Sequence, residues 1–171
     1  MATMQKITSS LWFDNQAEEA VNFYMSIFKN ASVIRTARYG KEGYEIHQMP
    51  EGTVLTIEFE LEGQRFVALN GGPVFEFSEA ISFIVNCDTQ DEVDYYWKKL
   101  TEGGDARAQQ CGWLKDKFGV SWQVVPTTLA EMMADTDKDR AARVMKALLQ
   151  MKKLDIKTLQ EAYDGEAVSS T

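Results

Sequence analysis

Two stretches of this chain are versions of each other. SLWFDNQAEEAVNFY (10–24) aligns without a gap on SFIVNCDTQDEVDYY (82–96) at an offset of 72, with Ser10/Ser82, Val21/Val93 and Tyr24/Tyr96 identical. Chemistry is kept at Asp14/Asn86, Glu19/Asp91, Asn22/Asp94 and Phe23/Tyr95. Each copy opens with a short apolar run suited to a strand and continues at helical period. Ala17, Ala20, Val21, Tyr24, Ile27 and Phe28 share one helix face in the first copy, and Val93, Tyr96, Trp97 and Leu100 in the second. Asp14 or Asn15, and Asp88 or Thr89, stand where N-caps belong. Asn30 and Gly103-Gly104 supply the helix stops.

The strands that follow repeat the order. The first copy offers Ser32–Tyr39, then TVLTIEFELEG (53–63), whose Leu55, Ile57, Phe59 and Leu61 alternate with polar partners. Gly63 turns this strand into QRFVALN (64–70). The second offers 105–110, 113–115 and 120–125, and its closing hairpin echoes the first at an offset of 56: Gly63/Gly119, Phe66/Trp122, Ala68/Val124, Leu69/Val125. The order β-α-β-β-β therefore occurs twice. One face of such a unit is covered by its helix and the other is bare, so two units are expected to pair and curl around a shared cavity.

The predicted class is α+β: two tandem βαβββ modules in a curled mixed sheet, with a C-terminal helical extension. A single domain spans 1–164, with module one at about 5–70, module two at about 78–126 and a helical tail at 127–164. Residues 165–171 are expected to fray. In the tail, Thr128-Leu-Ala-Glu131 reads as a capping box, Thr136-Asp-Lys-Asp139 opens a second helix, and Asp155 caps a third carrying Ile156, Leu159 and Tyr163 on one side. Met132, Met133, Met145 and Met151 form a stripe suited to packing on the domain or on a second subunit.

Charge narrows the partners. Eighteen basic residues against 26 acidic leave a net charge of −8, which disfavours nucleic acid and anionic membranes. The start, MATMQKITSSLWF, lacks the uninterrupted apolar run of a signal peptide or anchor. Two cysteines, Cys87 and Cys111, suit a reducing cytoplasm.

FDNQAEEAVNFYMSIF (13–28), LNGGPVFEFSEAISFIVNC (69–87), QQCGWLKDKFGVSWQVVP (109–126) and RVMKALLQMKKLDIKTLQEAY (143–163) resemble the vicinal oxygen chelate superfamily of glyoxalase, dioxygenase and bleomycin-resistance proteins. Within it they resemble the PhnB-like branch labelled 3-demethylubiquinone-9 3-methyltransferase. The resemblance implies a glyoxalase-like fold, commonly as a homodimer, and in the superfamily's enzymes a divalent metal held by His and Glu of the outer strands of each module. Here those strands read KITSSLWF, GQRFVALN, AISFIVN and VSWQVVP, without His, Asp or Glu. Gln123 stands where the resemblance puts a ligand glutamate, and an amide brings no charge. No metal site and no cofactor are therefore expected. Methyl transfer from S-adenosylmethionine in a doubly wound fold would need a glycine-rich strand-to-helix turn. Gly71-Gly72 follows a strand and Gly103-Gly104 ends a helix, so neither supplies it.

The residues that carry chemistry are few. Trp12, Asn70, Trp113 and Gln123 are the candidate ligand-binding set, with core filling the alternative for each tryptophan and turn formation for Asn70. If Gln123 faces the cavity, strand alternation puts Trp122 beneath the helix. Cys111 and His47 are the catalytic candidates, against a packed thiol and an exposed loop histidine. Cys87 reads as structural, Asp116 as a solvated hairpin tip, and Glu58 and Glu60 as an exposed polar face. The expected function is metal-independent binding of a small, partly aromatic molecule by a cytoplasmic homodimer. The alternative is an enzyme, either a metal-dependent lyase, isomerase or dioxygenase or the methyltransferase of the family label.

Overall fold

In a computed structural model of the chain, residues 5–166 are described. They fall into two compact units divided after Phe77. The first holds β1 (Ser9–Phe13), α1 (Ala17–Ile27), β2 (Ala31–Arg38), the single turn α2 (Tyr44–His47), β3 (Val54–Leu61) and β4 (Gln64–Asn70). Its sheet runs β1-β4-β3-β2, with β1 parallel to β4 and the other pairs antiparallel.

One face of this sheet lies under α1. Leu11, Phe13, Ile57, Phe59, Phe66 and Ala68 are buried there against Ala17, Ala20, Val21, Tyr24 and Ile27, the helix face that its periodicity predicts. Tyr24 stacks on Phe59 and Phe59 on Phe66, with ring centres 6.5 and 5.5 Å apart. Burying one such large apolar side chain contributes about 1.5–3 kcal/mol. Asp14 and Asn15 do not cap α1. Its N-cap is Gln16, which makes no side-chain cap bond, and the Ala17 amide is met from the sheet, as described below. At the β3–β4 hairpin Glu62 and Gly63 both take positive φ, 47° and 81°, as a two-residue hairpin turn requires. The Glu62 carboxylate accepts from the Asn30 amide and side chain, and these bonds hold its carboxyl below the usual range.

The second unit holds β5 (Phe83–Cys87), α3 (Gln90–Leu100), β6 (Trp113–Lys115), β7 (Ser121–Pro126), α4 (Thr127–Met133), α5 (Lys138–Leu148) and α6 (Ile156–Asp164). Its sheet is β5-β7-β6, with β5 parallel to β7. The strand expected over 105–110 is absent. Asp105 accepts from the Arg107 amide and grips its guanidinium, winding Ala106–Ala108 into a 3-10 turn that leaves one bridge from Gln110 to Trp113. Thr89 caps α3 through the Glu92 amide, and the Glu92 carboxylate reaches back to the Asp88 amide. Pairing also departs from the repeat: Ser9 stands opposite Phe66, but Phe83 stands opposite Trp122. Under the two offsets Phe83 corresponds to Leu11, so the second pair has slipped by two residues, which keeps every side chain on its face.

The tail folds back on the second unit. Leu129, Met132, Val144, Leu154 and Leu159 form a buried cluster, with Val125, Met133, Leu148, Met151 and Tyr163 packed against it. Asp155 caps α6 as expected, but Asp137 rather than Thr136 caps α5, and α4 starts at Thr127 behind Pro126 with no side-chain cap. The Met stripe is packing, except at Met145, which is exposed. Gly165, in the left-handed region, closes α6. Of the end expected to fray, 167–171 lie outside the described residues. No helix of the described residues is long and apolar enough to cross a membrane.

Candidate functional site

Each sheet keeps one face clear of its central helix, and on these two faces the sequence candidates separate. In the second unit Phe83, Val85, Trp122 and Val124 belong to the α3 face, where Trp122 and Val124 are buried. Strand alternation then puts Ile84, Gln123, Val125, Ser121, Trp113 and Lys115 on the other. Gln123 stands opposite Ile84 on one side and Trp113 on the other. Directly opposed side chains lie about 5 Å apart, so the three make one row across the sheet. Gln123 donates through Nε2 to Ser82 Oγ at 2.9 Å. Gln123 and Trp113 are both half-buried, so the row remains reachable. The face of Trp122 is also settled. It is 3% exposed, and its indole N–H donates to Asp116 Oδ2 at 2.9 Å.

Asp116 is therefore no solvated tip. It is 3% exposed, and its Oδ1 accepts from the Phe118 and Val120 amides at 2.8 and 3.0 Å. A carboxylate with this many donors in place is stable in a buried turn. Its burial was hidden in sequence by the lysines on either side.

In the first unit Trp12, Val67, Leu69, Thr56, Glu58 and Arg65 alternate onto the face away from α1. Trp12 lies across Gly71, where a Cβ would come within 2.2 Å of its ring, and its N–H donates to the Gly72 carbonyl at 2.9 Å. The glycine pair is thus a seat for the indole. Phe75 meets that ring edge-on at 4.9 Å. Glu58 is half-buried rather than exposed and is paired with Arg35 and Arg65. Glu60 pairs with Arg65.

Asn70 sits elsewhere. It is 2% exposed beneath α1, its Oδ1 accepts from the Ala17 amide at 2.9 Å, and its Nδ2 donates to the Val54 carbonyl at 3.1 Å. It supplies the cap that Gln16 does not, so its amide is engaged in the fold and not offered to a ligand. His47 is likewise occupied: Nδ1 accepts from the Met49 amide at 2.9 Å, which fixes the proton on Nε2 for the Glu42 carbonyl at 3.0 Å. Cys111 is half-buried at φ 52°, with Gln110 Nε2 3.4 Å from its sulfur. Burial pushes the Cys87 thiol up to about 12.

A divalent metal needs carboxylate or imidazole donors. Among the described residues no three His, Cys, Asp or Glu side chains gather as a metal site. Glu58 and Glu60 face arginines, and the row at Gln123 offers an amide, an indole and a serine hydroxyl. These residues do not fit a catalytic divalent ion.

A family model described as 3-demethylubiquinone-9 3-methyltransferase matches residues 5–125. Comparison with curated proteins finds no match. Among solved structures, a putative 3-demethylubiquinone-9 3-methyltransferase, PhnB protein, from Bacillus cereus is 37% identical. It covers 72% of this chain and 100% of its own, with a TM-score of 0.62. The fosfomycin resistance protein FosX from Listeria monocytogenes, complexed with Mn(II) and sulfate, is 15% identical over 76% of this chain and 95% of its own, TM-score 0.51. FosX from Mesorhizobium loti is 16% identical over 77% and 98%, TM-score 0.51. The two FosX proteins share the fold. The family match stops at residue 125, leaving the helical tail outside it.

Proposed function

The chain belongs to the 3-demethylubiquinone-9 3-methyltransferase family, PhnB-like in the vicinal oxygen chelate superfamily, and from that premise we propose that it is a metal-independent small-molecule-binding protein. Its ligand lies on the second sheet's face away from α3. The observation that carries this is the row Ile84–Gln123–Trp113. An indole face and an isoleucine offer apolar area, and an amide between them offers a donor and an acceptor. That combination orients a flat, partly aromatic molecule without forming or breaking a bond, so affinity is the activity. Trp12, whose N–H is already engaged, contributes a ring face on the first unit alone.

The reading also takes the protein as a cytoplasmic homodimer. Val33 and Ile34, 45% and 43% exposed on the edge strand β2, support a protein partner.

The test is a titration with benzyl alcohol, a neutral aromatic probe, followed by NMR shifts of the Trp113 indole and Gln123 amide. Saturable shifts that Q123A and W113A each weaken at least about fivefold are expected, since each loses a central contact. Shifts spread evenly over the surface would overturn the reading. Metal content measured on protein purified without chelator should be substoichiometric, and one tightly held divalent ion per chain would overturn metal independence.

A further inference from the structure

We propose that Lys115 and Ser121 form an anion subsite beside the Gln123–Trp113 row, selecting ligands that join an aromatic ring to a carboxylate, and that Glu79 holds the Lys115 ammonium until such a ligand displaces it. This rests on the reading above and names the class of ligand that the face prefers.

Lys115 and Ser121 stand directly opposite each other across β6 and β7, one strand repeat from Trp113 and Gln123. Alternation puts all four on one face. The step between the two pairs is about 7 Å along the strands, the span from an aromatic ring to its carboxylate. Two features show that this end of the face is chemically unfinished. Ser121 is 2% exposed, and its Oγ has no hydrogen-bond partner among the described residues. Folded chains rarely leave a buried hydroxyl so. Lys115, with a side chain 27% exposed, is partnered by a carboxylate brought from outside the sheet, Glu79 Oε1 at 2.8 Å.

Glu79 is the more exposed member of the pair, at 61%. Its bond to Lys115 holds its carboxyl below the usual range, so it stays ionised at neutral pH. An exposed carboxylate loses little when water replaces its partner. A ligand carboxylate entering beside Ser121 can take the same ammonium, gain the hydroxyl proton as a second donor, and lay its ring against Trp113. Glu79 is then a competing occupant of the subsite, and its removal should favour the ligand.

The experiment compares benzoate with benzamide, a neutral molecule of nearly the same shape, by NMR titration of the intact chain and of three variants. Wild-type protein should bind benzoate at least about tenfold more tightly than benzamide, the worth of one partly desolvated charged hydrogen bond. E79Q should tighten benzoate about threefold and leave benzamide unchanged. K115M should abolish the preference. S121A should weaken benzoate about threefold without lowering the urea midpoint, because it deletes a group with nothing to lose in the free protein. Equal affinities for the two probes, or benzoate binding indifferent to E79Q, would sink the subsite while leaving the site at Gln123 standing. If neither probe shifts Trp113 or Gln123, both proposals fall together.

Discussion

Asp116 Oδ2 accepts the indole proton of Trp122 at 2.9 Å, while Asp116 Oδ1 holds the Phe118 and Val120 amides. One carboxylate thus fixes the β6–β7 turn and pins a large ring to the α3 face. Because alternate residues of a strand take opposite faces, pinning Trp122 also fixes Gln123 outward.

Replacing Asp116 with alanine leaves three donors in a buried turn without an acceptor. Each buried group so stranded costs about 1–3 kcal/mol, so D116A should lower unfolding free energy by about 3 kcal/mol or more. D116N keeps an acceptor for the amides but presents N–H to the indole N–H, and should fall about halfway between. Urea denaturation of the two variants and of W122F checks this. A D116A loss below about 1 kcal/mol would show that the turn finds other partners.

Asn70 gives a second stability prediction. It caps α1 from β4, with Oδ1 on the Ala17 amide and Nδ2 on the Val54 carbonyl. N70A should cost about 2 kcal/mol, the upper range for losing a cap, because the site is buried. N70D keeps the cap oxygen but sets a second acceptor against the Val54 carbonyl, so it should be destabilising as well. Neither should alter ligand affinity at Gln123 in protein that remains folded.

How far the chain could be read from its sequence follows from how local each signal is. Helix faces and the 64–70 strand were legible because apolar periodicity is a property of adjacent residues, and α1 buries the residues its period selects. Gln123 facing away from α3, opposite Trp122, was legible by alternation once the resemblance supplied a side. Asn70 and the α1 cap it supplies were not, because the partners lie far apart in the chain: Ala17 is 53 residues from Asn70. Asp116 was missed although its partners are only two to six residues away. A charged residue between two lysines gives no local sign that it folds inward. The missing strand at 105–110 failed for the opposite reason, since Asp105 and Arg107 close a turn on themselves.

The two cysteines should react very differently. Cys87 is fully buried, and burial holds its thiol at about 12, so at pH 8 only about one in ten thousand is ionised. Cys111 is half-buried at a turn. Iodoacetamide at pH 8 should therefore label one site per chain, identified by peptide mass as Cys111, with Cys87 modified only in denaturant. Labelling of Cys87 in folded protein would mean that its strand end opens.

The segment between α5 and α6 is held by two side chains of α3 of unlike worth. Gln90 donates to the Leu154 carbonyl at 3.1 Å and accepts from the Ile156 amide at 2.8 Å, both partly buried. Lys153 pairs with Asp94 at 2.5 Å, with both side chains more than two-fifths exposed. Q90A should cost about 1–2 kcal/mol, because two backbone groups lose their partner away from water. K153M should cost at most about 0.5 kcal/mol, since exposed ion pairs are screened and pay for themselves poorly. The Lys153 hydrogen bond lowers the Asp94 carboxyl from its ordinary value. A folded-state value below the unfolded one gives stability that is present above the usual aspartate range and is lost as pH falls through the depressed value. Wild type and K153M should therefore differ at pH 7 and converge in acid below the depressed Asp94 value. The Q90A deficit should shrink only in part, because Gln90 Nε2 also donates to Asp94 Oδ1 at 3.0 Å while its two backbone bonds do not titrate. Urea unfolding at the two pH values, read with amide exchange in α6, separates the pair from the amide bridge. A K153M loss as large as that of Q90A would show that the exposed pair, and not Gln90, secures the tail.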